Sequence, residues 1–154
     1  MNKDVKFKIF AITKKVLLVI VVLVAGVLVQ DYFKSQKNKP PSEDDIFKEL
    51  MEIAIQVNST LPVMVDKETR LDTSFPLQGR VIVYKYTLIN YLVEDIDTMM
   101  LVKELKPKLV NVVKTSPQMS PLRELNVTFI YSYRDNESKH ICNISIRPED
   151  YKIK

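Results

Sequence analysis

Fourteen consecutive residues, Val16 to Val29, carry no polar side chain, and this run constrains the chain more than any other feature. Such a segment either spans a membrane or is cut away after export. At 1.5 Å per residue it covers about 21 Å, short of the roughly 30 Å hydrocarbon core, a length that would suit a signal peptide. Its flanks favour a span. Phe7, Ile9, Phe10, Ala11 and Ile12 extend the apolar surface upstream, and Lys14 and Lys15 can snorkel toward headgroups. Tyr32 and Phe33 supply an interfacial aromatic pair downstream. The best cleavage candidate, Val24-Ala25-Gly26, precedes Val27-Leu28-Val29 rather than a polar stretch, and no cysteine follows to receive a lipid. The sequence therefore predicts an uncleaved signal anchor over 16–33, preceded by a basic cytoplasmic segment at 1–15.

Charge follows the same division. Residues 1–39 hold eight Lys against two Asp, a balance of +6, whereas residues 40–154 hold fifteen Lys and Arg against seventeen Asp and Glu, a balance of −2. Five Lys precede the apolar run and three follow it closely, a bias that puts the N-terminus in the cytoplasm. The expected location is the inner (cytoplasmic) membrane, single-pass, with the C-terminal domain periplasmic or extracellular. A nucleic-acid footprint needs basic residues clustered on the folded part. Here they are mixed with acids, so no nucleic-acid partner is expected.

After a polar linker at 34–42 with a Pro pair, residues 43–154 read as one small α+β domain. Ser42 is a good N-cap, followed by Glu43, Asp44 and Asp45 in a first turn that favours negative charge. Ile46, Leu50, Ile53, Ala54 and Val57 then share one helical face, and the helix is expected to end near Asn58. "VMVDKETRLDTSFPLQGR" has no sustained period and reads as a short extended segment plus a turn around Pro76 and Gly79. "RVIVYKYTLIN" is dense in β-branched and aromatic residues and is the clearest strand, with Ile82, Tyr84, Tyr86 and Leu88 on one face. A second helix is expected over the stripe Ile96, Met99, Met100, Leu101, Leu105, Leu109, Val110 and Val113, kinked or broken near Leu105 by Pro107. "SPQMSPLREL" is a connector with a helical turn after Pro121. A hairpin follows, in which Val127, Phe129, Tyr131 and Tyr133 alternate with Thr128, Ile130, Ser132 and Arg134, and Cys142, Ile144 and Ile146 mark the return strand. The predicted order is helix-strand-helix-strand-strand. Behind the transmembrane helix, two main helices would pack on one face of a three-stranded, largely antiparallel sheet.

Several chemistries are excluded by composition. The chain has two glycines, Gly26 and Gly79, too few for a phosphate-cradling loop. One His and one Cys cannot make an ordinary zinc site, so no metal and no cofactor are expected. His140 and Cys142 are two apart on one strand without an evident orienting carboxylate, and Cys142 reads as a buried small side chain rather than a nucleophile. The densest polar cluster is "VDKETRLD". Asp66 and Asp72 around Arg70 could form a binding or acid/base site, or an Arg-carboxylate network that pins a loop. Tyr84, Tyr86, Tyr131 and Tyr133 could form an aromatic platform across neighbouring strands, although sheet packing accounts for the same pattern. Four sequons, at Asn58, Asn126, Asn136 and Asn143, are either chance or glycan acceptors in a secretory-pathway protein.

The segments "LPVMVDKETRLD", "YKYTLINY" and "LRELNVTFIYSYRDNESK" together resemble a group of small bacterial exported or membrane-anchored proteins. In that group an Lp-Mvd-TRLD segment precedes a Tyr-rich strand, and a Tyr-Arg-Asp hairpin lies near the end. The likeness spans roughly 45–150. Where the pattern often has Gly in the first turn and the hairpin, this chain has Pro76-Leu77-Gln78-Gly79 and Asn136-Glu137-Ser138. The resemblance implies a bacterial envelope location and no particular activity. The resulting expectation is a non-enzymatic, membrane-anchored module that binds an envelope protein in a secretion-accessory, assembly or immunity role. The alternative is a glycan-binding or hydrolytic module using Asp66, Asp72 and the Tyr stripe.

Overall fold

A computed structural model describes residues 41–152. In it Ser42 starts α1, Glu43–Asn58, through a reciprocal capping box: the Ser42 hydroxyl accepts from the Asp45 N–H at 3.2 Å, and the Asp45 carboxylate accepts from the Ser42 N–H at 3.2 Å. The five apolar residues at helical spacing, Ile46, Leu50, Ile53, Ala54 and Val57, are all buried. The chain then passes into β1 (Val63–Met64), β2 (Thr69–Leu77) and β3 (Val81–Leu88). A 3-10 turn at Val93–Asp95 leads to α2, Thr98–Thr115, capped by Asp97. A second 3-10 turn and the short α3, Ser120–Glu124, lead to β4 (Thr128–Arg134), β5 (His140–Ile146) and α4 (Pro148–Tyr151).

The strands lie in the order β1-β2-β3-β4-β5. All neighbours are antiparallel except β3 and β4, which run parallel with Tyr84 opposite Tyr131 and Tyr86 opposite Tyr133. A parallel pair cannot be closed by a tight turn, and the segment holding α2 and α3 supplies the crossover. One face of the sheet, carrying Leu71, Ile82, Tyr84, Tyr86, Phe129, Tyr131, Tyr133 and Ile144, shares a single core with the apolar stripes of α1 and α2. Tyr84, Tyr131, Tyr86 and Tyr133 stack in sequence across β3 and β4, with ring centroids 5.8, 6.3 and 5.2 Å apart. The C-terminal turn closes the core at one end. Tyr151 packs edge-on against Phe129 at 6.0 Å, and its hydroxyl donates to the Val127 carbonyl at 2.9 Å.

The architecture corrects the three-stranded, largely antiparallel sheet expected from the sequence: it is five-stranded and mixed. Two strands were missed: β1 is only two residues long, and β2 is irregular for two identifiable reasons. A bulge between Leu71 and Thr73 breaks the period of two. Pro76 sits where β2 no longer has β1 beside it, since β1 pairs only with Arg70 and Leu71, so its missing N–H costs no ladder bond. The second helix also departs from expectation. It runs unbroken through Pro107, and both Pro107 and Lys103, whose carbonyl loses its partner, are exposed. Met99, 84% exposed, and Met100 lie outside the core.

As for the expected transmembrane helix, among the described residues no helix is long and apolar enough to cross a membrane. The run at 16–33 that carried the expectation lies outside the described residues.

The Tyr131 hydroxyl is buried and has no hydrogen-bond partner among the described residues. Tyr131→Phe is therefore expected to be neutral or stabilising by up to about 1 kcal/mol, because it removes an unsatisfied polar atom. Tyr131→Ala, which empties the centre of the stack, should cost about 3–5 kcal/mol. Urea-denaturation midpoints of the two variants check both values.

Candidate site on the helix-free face of the sheet

Strand alternation puts the neighbours of the buried tyrosines on the opposite face of the sheet. There Arg70, Thr87 and Arg134 lie side by side through the register pairs Arg70–Thr87 and Thr87–Arg134. The bulge adds Asp72 to this face. The pair before it is Leu71–Tyr86 and the pair after it Thr73–Lys85, so Asp72 is the extra residue and turns back toward Thr87.

Asp72 is the hub. Its Oδ1 accepts from Arg70 Nε at 2.5 Å, and its Oδ2 accepts from Thr87 Oγ1 at 2.5 Å and from Arg134 Nη2 at 3.1 Å. Arg134 Nε also donates to Thr87 Oγ1 at 2.8 Å. The Asp72 side chain is 10% exposed, whereas those of Arg70 and Arg134 are 40% and 36% exposed. Burial alone would raise the Asp72 carboxyl, but the hydrogen bonds from Thr87, Arg70 and Arg134 outweigh it and hold the group below its ordinary value. Further along the face, Lys85 is exposed and its Nζ lies 5.2 Å from the centroid of the Phe75 ring. The far end is apolar. Phe75, Val83 and Ile130 form one row, and Leu77, 44% exposed, pairs with Val81 beyond it.

The sequence-expected site residues divide between the two sides of the sheet. Arg70 and Asp72 come together. Asp66 does not join them: its Oδ1 accepts the backbone N–H groups of Glu68 and Thr69 at 2.8 and 2.7 Å, which fixes the turn into β2. Tyr84, Tyr86, Tyr131 and Tyr133 are buried against the helices, 5% exposed or less, and burial pushes their hydroxyls well above the ordinary value. Thr87, Arg134 and Lys85 had not been singled out from the sequence. Their signal was present in "YKYT" and "YSYR", where each polar residue alternates with a tyrosine.

A second polar hub holds the β4–β5 hairpin. The Asp135 carboxylate is buried and accepts from the N–H groups of Val93, Glu137 and Lys139 at 3.0, 2.9 and 2.8 Å, tying the hairpin to the first 3-10 turn. His140 is exposed. Cys142 is buried, and burial pushes its thiol up to about 11. A thiol of that kind stays protonated at neutral pH. An open hollow between α2, β5 and α4 is lined by Val102, Lys106, Asn143, Arg147 and Asp150 among others. Among the described residues, no group of three or more His, Cys, Asp or Glu is placed to hold a metal ion.

A two-layer α+β domain with one covered and one open sheet face defines the structural class. Residues 42–142 match the family model described as a domain of unknown function, DUF8479, and the chain belongs to that family. No curated protein matches it. Among solved structures it is similar to a Pseudomonas aeruginosa protein assigned to the secreted class, with 9% identity and a TM-score of 0.62 over 75% of this chain and 100% of that one. It is also similar to EpsS, a pilotin of the Vibrio vulnificus type 2 secretion system, with 8% identity and a TM-score of 0.56 over 73% of this chain and 96% of that one. The type II secretion pilotin AspS of Vibrio cholerae gives 6% identity and a TM-score of 0.54 over 70% and 94%. At these identities the likeness is one of fold.

The sequence-based placement as a single-pass protein of the inner membrane is corrected on one finding: no helix among the described residues is long and apolar enough to cross a membrane.

Removing the hub charge should leave two arginines facing each other. Asp72→Asn is expected to lower stability at neutral pH by about 1 kcal/mol, a figure kept small because solvent screens both guanidinium groups. The sign of the pH dependence follows from the depressed carboxyl. Wild type keeps the advantage above the ordinary value of 3.8 and loses it as pH falls through the lower folded value. Thermal midpoints of wild type and Asp72→Asn should therefore converge only at pH below the ordinary carboxylate value of 3.8.

Proposed function

We propose that this chain is a non-enzymatic, extracytoplasmic protein-interaction module with a secretion-accessory role in the bacterial envelope. The observation that carries the reading is the fold it shares with two type II secretion pilotins over 96% and 94% of their chains. Almost nothing of those solved chains lies outside the shared domain, which supports comparing the domain as a unit.

The chemistry of the carboxylates favours binding over hydrolysis. A general acid needs a raised pKa, and Asp72 is held low by three donors. Asp66 is occupied by two backbone N–H groups. The tyrosines that a glycan platform would need face the helices rather than solvent. The face left for a partner is the one carrying Arg70, Lys85, Arg134 and Phe75.

The test is photo-cross-linking in the source cell, with p-benzoylphenylalanine placed at Lys85 on the open face or at Gln56 on the exposed side of α1. One discrete envelope protein cross-linked from Lys85 and not from Gln56 is the expected result. Equal labelling from both positions, no adduct from either, or hydrolysis of a cell-wall glycan by the purified chain would overturn the reading.

A further inference from the structure

We propose that Arg70 and Arg134 form a carboxylate-accepting site, and that the open sheet face docks an acidic, partly apolar segment of a partner protein. This rests on the reading of the domain as a protein-interaction module and names the chemistry of its partner. Two guanidinium groups share the single carboxylate of Asp72. Among the described residues Arg70 donates only through Nε, and Arg134 only through Nε and Nη2. Three terminal or near-terminal donor groups, Arg70 Nη1, Arg70 Nη2 and Arg134 Nη1, are thus left on a face where both side chains are more than a third exposed.

A guanidinium presents five N–H donors in a fork that matches a carboxylate, and half-used forks beside a saturated Asp72 are suited to a second, incoming carboxylate. Lys85, one row away, adds a third positive charge to the same end of the face. Of the domain's own acids, Glu43 is held by Arg80 and Asp45 caps α1, so these two are not offered to the open face of a second copy. The row holding Phe75 and Val83 lies four residues along β3 from Thr87, about 13 Å at strand spacing. A docking segment therefore carries its carboxylates and its apolar anchor about nine residues apart if helical, or about four if extended.

Three fluorescent peptides with identical apolar positions, and Glu, Gln or Lys at the polar positions, are the probes. Their binding to the full chain is read by anisotropy at low and high salt. The Glu peptide should bind at least about ten-fold tighter than the other two, and raised salt should weaken it. Arg70→Gln and Lys85→Glu should each weaken it by about five-fold or more. Gln56→Glu, on exposed α1 surface, should leave it unchanged. Equal binding of the three peptides, or indifference to Arg70→Gln and Lys85→Glu, overturns the proposal. So does concentration-dependent self-association that the same two substitutions abolish, which would make the occupant a second copy. If the peptides fail while the Lys85 cross-link persists, only the acidic chemistry is lost; if both fail, the module reading goes with it.

Discussion

The parallel pairing of β3 with β4 is the constraint on which the rest of the molecule depends. It aligns Tyr84 with Tyr131 and Tyr86 with Tyr133, so four aromatic rings stack in the centre of one face. Offset aromatic pairs contribute about 0.5–1.5 kcal/mol each beyond the area they bury, and here they form a continuous ladder across the two middle strands. The same pairing requires a long crossover, and that crossover becomes α2 and α3. With α1 they cover the tyrosine face, and among the described residues no helix covers the other.

Once the faces are assigned, the polar chemistry follows from pleating. Every second residue of "YKYT" and "YSYR" must point away from the core, which brings Lys85, Thr87 and Arg134 onto the open side. The bulge in β2 then places Asp72 among them. A single carboxylate serving two arginines and a threonine is satisfied, whereas the guanidinium groups are not. The proposed carboxylate-accepting site rests on this asymmetry. The apolar row at Phe75, Val83 and Ile130 gives the same face a second kind of contact, as expected where a partner covers both charge and hydrocarbon.

Much of the fold was legible in local signals. Ser42 before three acids and an i, i+4 apolar stripe specified α1, and alternation specified β3 and the β4–β5 hairpin. β2 was hidden because its bulge and Pro76 erase the period of two. The continuity of α2 was hidden because an interior proline usually kinks or breaks a helix, whereas here the Lys103 carbonyl that loses its partner lies on the exposed side. The site was half legible. Arg70 and Asp72 are two residues apart in an extended segment, so their proximity could be read directly. Thr87 and Arg134 are separated from them by 15 and 62 positions and meet Asp72 only through strand pairing. The tyrosine stripe was visible as a stripe, but periodicity cannot say which of two faces the helices will cover.

The most direct measurement is a set of backbone NOEs across β3 and β4 in the full chain. The account expects parallel contacts in the register Tyr84–Tyr131 and Tyr86–Tyr133, with tyrosine ring protons close to methyl groups of α1 and α2 and none close to Arg134 or Lys85. Antiparallel contacts between these strands, or tyrosine rings on the same side as Lys85, would contradict it.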